Sequence, residues 1–514
     1  MDKKYNELLK KIKPYGYHGR LGKLFKTDKS NYFLDMGTGK VAKINENVFM
    51  LLSCIIENDD PIEAYNKLEI SEKEKKDAVQ EILDAIRDEN IMSAPELMTM
   101  TGSGKTNLDE IISNGIENVT LEVTEQCNLR CKYCIYQDAH SEYRTFGKNN
   151  MEWSVAKKSI DYLKAHSKYA NHRNLGFYGG EPLMNFDIVR KSVAYVEEIF
   201  SDPVDFAVTT NATMMTDEIA DFLAENEFNV IVSLDGPKEL HDANRVFVDG
   251  TGTFEKTIKG LKKVIQSYKK RSLKGKIGIN IVVSGPDFNK DYEKIQYFLD
   301  NEEWFPNDLM ILTSSVDHGP HDSQYMIPQG KEDLVYMSEL VEPDFEWDRI
   351  HRNDKKSKKG LFTDGVMDKG MLSIHKRLLL DKPVEQYGMN GCCVPGQRRI
   401  YVTTQGKFLM CEKVGNIPSI GDVDHGLDIE KIRKLYVNDF IDNAKNYCKD
   451  CWAVNLCSLC YVNCYDEKGV RMSYRHKSCR SERKYIEDNL IRYHSILENS
   501  PEQLICNDLC QGGT

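Results

Sequence analysis

The sequence predicts an α/β protein: a run of strand–helix units forming a full or partial barrel, with a winged-helix-like unit before it and a cysteine-rich unit after it. Three observations carry that expectation. Between residues 115 and 316, β-rich apolar runs alternate with amphipathic helical segments. Within residues 15–98, a glycine-centred hairpin precedes segments of helical period. The fifteen cysteines fall mainly into two dense groups with a long cysteine-free span between them. At ~150 residues per domain, a chain of 514 residues corresponds to about three domains, and it is far too long to need disulfide stapling.

Composition narrows the class further. With 69 basic and 80 acidic residues the net charge is −11, which argues against nucleic acid or an anionic membrane as the partner. A hydrophobic content of 40% supports a packed core. No apolar run reaches the ~18 residues of a membrane span, and residues 1–13 are charged where a signal peptide would be apolar. The expectation is a cytoplasmic protein whose clustered cysteines bind metal.

In the head, two strand-like runs, Tyr32-Phe33-Leu34 and residues 40–44, flank Asp35-Met36-Gly37-Thr38-Gly39. Glycine there is free to take the positive φ of a tight hairpin turn. Residues 45–56 read as a helix with Val48, Leu51, Leu52 and Ile55 on one face, and residues 61–68 as a second. A third begins at Ser71, where Glu74 completes a capping box, and its stripe is Val79, Ile82, Leu83 and Ile86. A hairpin followed by three helices resembles the peptide-recognition element at the front of many peptide-modifying enzymes. That resemblance implies that the hairpin edge pairs with an extended leader peptide, by strand addition to an exposed edge. A winged-helix packing unit without a ligand is the alternative. The stretch Thr101-Gly102-Ser103-Gly104-Lys105-Thr106 imitates a phosphate-binding loop but has Thr99 where the pattern needs glycine. Residues 99–114 are expected to be a linker.

The middle, residues 115–316, offers strands at 119–123, 175–178, 206–210, 230–234, 277–283 and 309–312. Helices are expected at 155–166, 188–200, 217–225, 254–268 and 292–299. This is a partial (β/α)6 barrel of the TIM type, in which chemistry sits at the carboxyl ends of the strands. Each conspicuous polar motif falls at such an end. After the first strand stands Cys127-Asn128-Leu129-Arg130-Cys131-Lys132-Tyr133-Cys134, and after the second Gly179-Gly180-Glu181-Pro182. Asn211 follows the third strand; Ser233 and Asp235 mark the end of the fourth. Three cysteines on one short loop can hold three irons of a cubane cluster and leave the fourth iron open to a chelating molecule. A structural zinc site would close with four ligands, and no fourth lies at zinc-like spacing.

With Cys-x3-Cys-x2-Cys and Tyr133 before the third cysteine, the chain resembles a radical S-adenosylmethionine enzyme. The resemblance implies that the open iron is chelated by the amino and carboxylate groups of S-adenosylmethionine. Its reductive cleavage yields a 5′-deoxyadenosyl radical that abstracts hydrogen from a substrate. It further implies that Gly179, Gly180 and Glu181 receive the methionine moiety, Glu181 at its ammonium group. Tyr133 would lie near adenine, Ser233 and Asp235 near ribose or substrate, and Arg245 at the methionine carboxylate, with Asn211 also binding the cofactor. Asp235 is weighed as a catalytic proton acceptor against a structural hydrogen-bonding role.

Behind the barrel, residues 317–389 are expected to be an insertion or bridging segment, and residues 390–482 hold most of the cysteines. Cys393, Gly406 and Cys411 precede Cys448-x2-Cys451-x5-Cys457, followed by Cys460, Cys464 and Cys479. This resembles the SPASM extension, except that Tyr461 stands where the pattern expects cysteine. The resemblance implies two auxiliary four-iron clusters beside the barrel cluster, three in all. Cys448, Cys451, Cys457 and Cys479 would complete the distal one. Cys393 and Cys411 would hold the proximal one with Cys460 or Cys464, and Cys392 is a further candidate. An open iron there would be able to take a substrate thiolate. Five residues between the Cys-x2-Cys pairs are too few for a zinc ribbon. Residues 483–514 are expected to be a C-terminal helix and a tail carrying Cys506 and Cys510, and Cys54 stands alone.

The order of units resembles maturases of ribosomally made peptides of the sactipeptide or ranthipeptide kind. The implied reaction is a cysteine thioether crosslink in a leader-bearing precursor peptide, with an external one-electron donor of the flavodoxin or ferredoxin type. The alternatives are formylglycine formation as in a sulfatase maturase, a carbon–carbon crosslink, or a non-enzymatic iron–sulfur electron carrier.

Overall fold

The computed structural model describes residues 3–12, 21–58, 60–95, 99–101, 108–113, 115–136, 145–283, 288–315, 370–383, 386–388, 393–460, 464–473, 479–499 and 501. Cys392, Cys506, Cys510 and most of the expected 317–389 segment lie outside the described residues, as does the glycine-rich part of the expected linker.

The head opens with α1 (Lys3–Ile12), which the sequence reading did not anticipate, and an antiparallel sheet of β1 (Gly22–Lys26), β2 (Asn31–Asp35) and β3 (Val41–Ile44). Then come α2 (Glu46–Ile56), α3 (Pro61–Lys67) and α4 (Glu72–Glu89). Each helix start has a chemical cause. Asn45 accepts from the Val48 amide, Asp60 from those of Ile62 and Glu63, and Ser71 with Glu74 forms the expected capping box. Tyr5, Leu8 and Ile12 of α1 bury against Leu51, Ile55, Val79 and Ile82, giving the head its own core. The hairpin turn is fixed by Asp35, whose buried carboxylate accepts from the Thr38 amide and hydroxyl and from the Met92 amide. In the sheet order β1-β2-β3, β3 is an edge strand among the described residues.

After β4 (Thr99–Thr101) and α5 (Leu108–Ser113), six parallel strands follow: β5 (Asn118–Thr124), β6 (Asn174–Gly179), β7 (Asp205–Thr210), β8 (Asn229–Ser233), β9 (Ile277–Val283) and β10 (Met310–Ser315). Between β5 and β6 runs α6 (Trp153–His166), between β6 and β7 α7 (Phe186–Ile199), and between β7 and β8 α8 (Asp217–Glu225). Between β8 and β9 lie α9 (Lys238–Asn244) and α10 (Phe254–Lys270), and between β9 and β10 α11 (Phe288–Asn301). Every expected barrel strand and helix is present, displaced by a few residues at most. Alternate residues point to opposite faces of a sheet. Val119, Leu121, Phe177, Val208, Val232 and Ile279 pack under the helices in one core. Thr209, Ser233 and Asn280, on the other face, stay partly exposed.

Parallel to β4 runs β11 (Gln386–Gly388). The cysteine-rich unit adds β12 (Arg399–Val402) directly to β5, in parallel, with Tyr401 opposite Thr120. From there β13 (Lys407–Leu409), β14 (Gly421–Asp422) and β15 (Gly426–Leu427) continue antiparallel, so one ten-stranded sheet joins barrel and extension. Then come α12 (Asp439–Cys448) and α13 (Cys479–Asn499). The head docks on α13: Tyr32 and Thr27 donate to Glu498, and the rings of Phe25 and Tyr32 lie 5.1 and 5.0 Å from His494. Among the described residues no helix is long and apolar enough to cross a membrane.

His494 makes this junction sensitive to acid. Burial, followed by the Arg377 charge, lowers its pKa from 6.5 to about 4. A depressed histidine stabilises the fold fully above its unfolded pKa and loses that contribution as pH falls toward the folded value. Between pH 7 and pH 5 the wild-type protein should lose about 2 kcal/mol of stability from this residue. Urea unfolding at the two pH values should find that part of the loss absent in His494→Phe.

Candidate functional site

Residues 125–136 contain almost no regular structure, so neighbouring strand ends supply their hydrogen bonds. The end of β6 donates from Gly180 N to Thr124 O (2.8 Å) and from Glu181 N to Gln126 O (2.8 Å). That approach explains both glycines. A Cβ on Gly179, which has φ +132°, would lie 2.3 Å from Thr124 O, and one on Gly180 2.1 Å from Gln126 O. Their closest neighbour is thus the stem of the cysteine loop. On the other side Arg130 N bonds Val246 O (2.7 Å) and Lys132 N bonds Asn244 O (3.0 Å). Asn128 is gripped through its amide, donating to Thr213 Oγ1 (2.8 Å) and accepting from Asn211 Nδ2 (3.0 Å).

The loop brings Cys127, Cys131 and Cys134 together. Burial raises all three thiols, Cys134 to about 12. The charges of Cys131 and Cys134 raise Cys127 further, and that of Cys131 raises Cys134. The Arg245 charge and a hydrogen bond from its side chain pull Cys131 the other way. Among the described residues no group of three His, Cys, Asp or Glu side chains converges as on a single metal ion. A cubane cluster takes its ligands on separate irons, and a donor set of three mutually coupled thiols on one loop fits that group.

Glu181 is buried. Its Oε1 accepts from Thr210 Oγ1 (2.6 Å) and Leu183 N (3.1 Å), and its Oε2 from Asn211 N (2.7 Å). Burial still raises its pKa against those donors. Asp235, also buried, accepts from the Tyr133 hydroxyl and from Arg245 Nε (3.0 Å) through Oδ2, and from Val282 N (3.1 Å) through Oδ1. Burial opposes the Arg245 charge, but Asp235, helped by Tyr133 and Cys131, more than offsets it. The carboxylate weighed as a proton acceptor is therefore occupied by three donors, one of them a guanidinium. Ser233 ends β8 on the partly exposed face.

Three groups of residues here have no role assigned from the sequence. Thr210 serves Glu181. His241, fully buried, accepts from Asp235 N at Nδ1 (3.3 Å) and meets Thr253 Oγ1 at Nε2 (3.0 Å). Glu122, buried on β5, accepts from Tyr136 Oη and Thr404 N (both 3.3 Å), while Tyr136 Oη also meets Tyr401 Oη (3.3 Å). The one charged residue of the strand was the available signal for Glu122; its partner Thr404, and Tyr401 reached through Tyr136, come from a distant segment.

In the cysteine-rich unit, Cys393 is exposed, and Cys411, Cys448, Cys451, Cys457, Cys460 and Cys479 are partly exposed. Burial, with Glu412 next and Cys460 contributing, raises Cys411 to about 12, which puts Cys460 near Cys411. Cys464 is fully buried in the apolar core, near Tyr436. Ser458 donates from its amide (2.6 Å) and hydroxyl (2.7 Å) to Glu482, tying the Cys457–Cys460 segment to the helix that starts at Cys479.

Residues 121–297 match the Radical SAM superfamily. The uncharacterized protein MJ0907 of Methanocaldococcus jannaschii is 30% identical over 333 residues, covering 64% of this chain and 97% of that protein. A cysteine-type anaerobic sulfatase-maturating enzyme of Clostridium novyi is 25% identical over 380 residues, 71% of this chain and 93% of the enzyme. The radical SAM cyclopropyl synthase TigE of Paramaledivibacter caminithermalis is 23% identical over 397 residues, 74% of this chain and 76% of the synthase. The solved structure of native anSMEcpe with bound AdoMet shares the fold, with a TM-score of 0.55 at 21% identity over 75% of this chain and 100% of that one.

The loop stem gives a direct test. Gly180→Ala should push Gln126 and the cysteine loop out of place and lower the iron bound per chain after anaerobic reconstitution. Tyr169→Ala, at an exposed position at the opposite end of the barrel strands, should keep wild-type iron.

Proposed function

Since the chain belongs to the radical SAM superfamily, we propose that it modifies a ribosomally made precursor peptide, joining a cysteine to a second residue through a thioether. The observation that carries this reading is the convergence of Cys127, Cys131 and Cys134 beside the Gly179-Gly180-Glu181 turn, in a chain that also carries a second, cysteine-rich unit. A four-iron cluster and S-adenosylmethionine held there supply, when bound, a 5′-deoxyadenosyl radical that takes hydrogen from the substrate.

The chain's own residues hold and shield the reactants. Cys127, Cys131 and Cys134 are the ligands of the barrel cluster in this reading. Glu181 and Arg245 offer opposite charges to the amino and carboxylate groups of S-adenosylmethionine, and Gly179, Gly180, Tyr133, Asn211 and Ser233 shape its pocket. Asp235 is assigned to fixing Arg245 and Tyr133 rather than to moving a proton, because its oxygens already accept three hydrogen bonds. Cys448, Cys451, Cys457 and Cys479 are assigned to one auxiliary cluster, and Cys393, Cys411 and Cys460 to the other. The electrostatic influence of Cys460 on Cys411 supports that choice, while the Cys464 thiol lies in the apolar core directed at the Cys460 carbonyl. The edge of β3 suits an extended leader peptide, and an external flavodoxin- or ferredoxin-type protein is the electron source.

The similarity to sulfatase-maturating enzymes supports a second reading, oxidation of a cysteine or serine to formylglycine. Mass spectrometry separates the two: a thioether leaves the peptide two hydrogens lighter with the cysteine thiol consumed, whereas formylglycine presents an aldehyde that hydrazine reagents capture.

Anaerobically reconstituted enzyme is expected to bind roughly twelve irons for three four-iron clusters and to release 5′-deoxyadenosine with a strong reductant. Cys460→Ser should bind about four fewer irons or hold a labile cluster, while Cys464→Ser should match wild type in iron. A loaded enzyme that forms no deoxyadenosine would favour the electron-carrier alternative.

A further inference from the structure

We propose that His241 is a positioning residue: a neutral imidazole that fixes the Asp235–Arg245 pair and thereby sets how Arg245 meets S-adenosylmethionine. The inference rests on the radical SAM reading and adds to it a residue outside the cysteine loop and its pocket.

The imidazole sits between the two members of the pair and holds both by their backbones. Its Nδ1 accepts from Asp235 N (3.3 Å), so Nδ1 carries no proton. The neutral ring then has its proton on Nε2, which donates to Thr253 Oγ1 (3.0 Å), and the Thr253 hydroxyl donates to the carbonyl oxygen of Arg245 (2.9 Å). The His241 carbonyl in turn accepts from Arg245 N (2.8 Å). That last bond closes the end of α9 through the main chain of residue 241, whereas the imidazole itself reaches the Arg245 main chain through Thr253. From that anchored backbone the guanidinium reaches Asp235 Oδ2 and lies 5.4 Å from the Tyr133 ring centroid. Tyr133 belongs to the cysteine loop and donates to the same carboxylate.

A core-filling histidine would not need this pattern. His241 and Thr253 are both fully buried, and the hydrogen bonds of the imidazole lead to Asp235 and, through Thr253, to Arg245. A buried ion pair keeps a unique geometry only if its surroundings hold both partners. An apolar side chain in place of His241 would leave Asp235 N without its acceptor and the Thr253 hydroxyl without its donor, loosening the hold on the Arg245 carbonyl while the main-chain bond at the end of α9 stays. Arg245 would still be charged, and the iron ligands would be untouched. The consequence expected is a change in cofactor affinity with the cluster intact.

Anaerobically reconstituted full-length protein tests this with two pairs of variants. Thr253→Val breaks the link at nearly constant volume, and Thr253→Ser restores the hydroxyl. His241→Phe removes both ring contacts, and His241→Asn keeps an acceptor for Asp235 N. Loss of one positioning hydrogen bond should raise the dissociation constant for S-adenosylmethionine about tenfold in Thr253→Val, with Thr253→Ser close to wild type. Iron per chain and the electron paramagnetic resonance spectrum of the reduced cluster without S-adenosylmethionine should match wild type, whereas the spectral change on adding it should need correspondingly more. Should His241→Phe lose iron, Thr253→Val decides. Equal affinity in Thr253→Val and Thr253→Ser overturns the positioning role. Iron-loaded wild type that fails to bind S-adenosylmethionine overturns the radical SAM reading instead.

Discussion

The loop that carries the three thiols forms no strand or helix of its own and has only short local bonds such as Cys134 N to Cys131 O (3.0 Å), so its geometry is set largely from outside. In this chain the support comes from three directions. The Gly179-Gly180-Glu181 turn pairs with residues 124–126, residues 244–246 pair with residues 130–132, and the Asn211–Asn128 contact ties in the end of β7. Each is backbone or short side-chain bonding over less than 3.1 Å, which leaves little room for change. The two glycines follow from this constraint, since any Cβ at either position would overlap the loop stem.

The same constraint organises the electrostatics. Burying an arginine and two carboxylates beside three thiols is unfavourable unless each has partners. Glu181 finds them in Thr210, Leu183 and Asn211, and Asp235 in Arg245, Tyr133 and Val282. These partners come from different strand ends, so satisfying the charges also locks the strand ends to one another. Polar groups around the loop therefore act as structural ties as well as chemical ones.

Much of this was legible in the sequence, for identifiable reasons. The barrel strands were readable because buried parallel strands are short β-branched runs separated by helical periods, and their ends were marked by Gly-Gly-Glu and Asp-Gly-Pro. The Ser71–Glu74 cap was readable because it is local. What was missed is non-local or weakly patterned. The first head strand, Gly22–Lys26, has a lysine at every third or fourth place in a short run and pairs only through β2. The attachment of Arg399–Val402 to Asn118–Leu121 leaves no mark in either segment. His241 carries no local mark in the sequence, and its link to Arg245 runs through Thr253, a residue of the following segment. Asp235 was weighed as an acid–base group from its position at a strand end, and position alone does not reveal that Arg245 and Tyr133 occupy it.

The parallel pairing of β12 with β5 bears on the order of events during synthesis. Glu117 and Arg398, bonded at the foot of that pairing, are 281 residues apart. Until the later segment has left the ribosome, β5 remains an open sheet edge directly before the cysteine loop, and long-range contacts of this kind are slow to form and exposed to mispairing. The seam of Glu122, Tyr136, Tyr401 and Thr404 closes in the same step. The sheet beside the cysteine loop is thus completed only by a segment made 281 residues later.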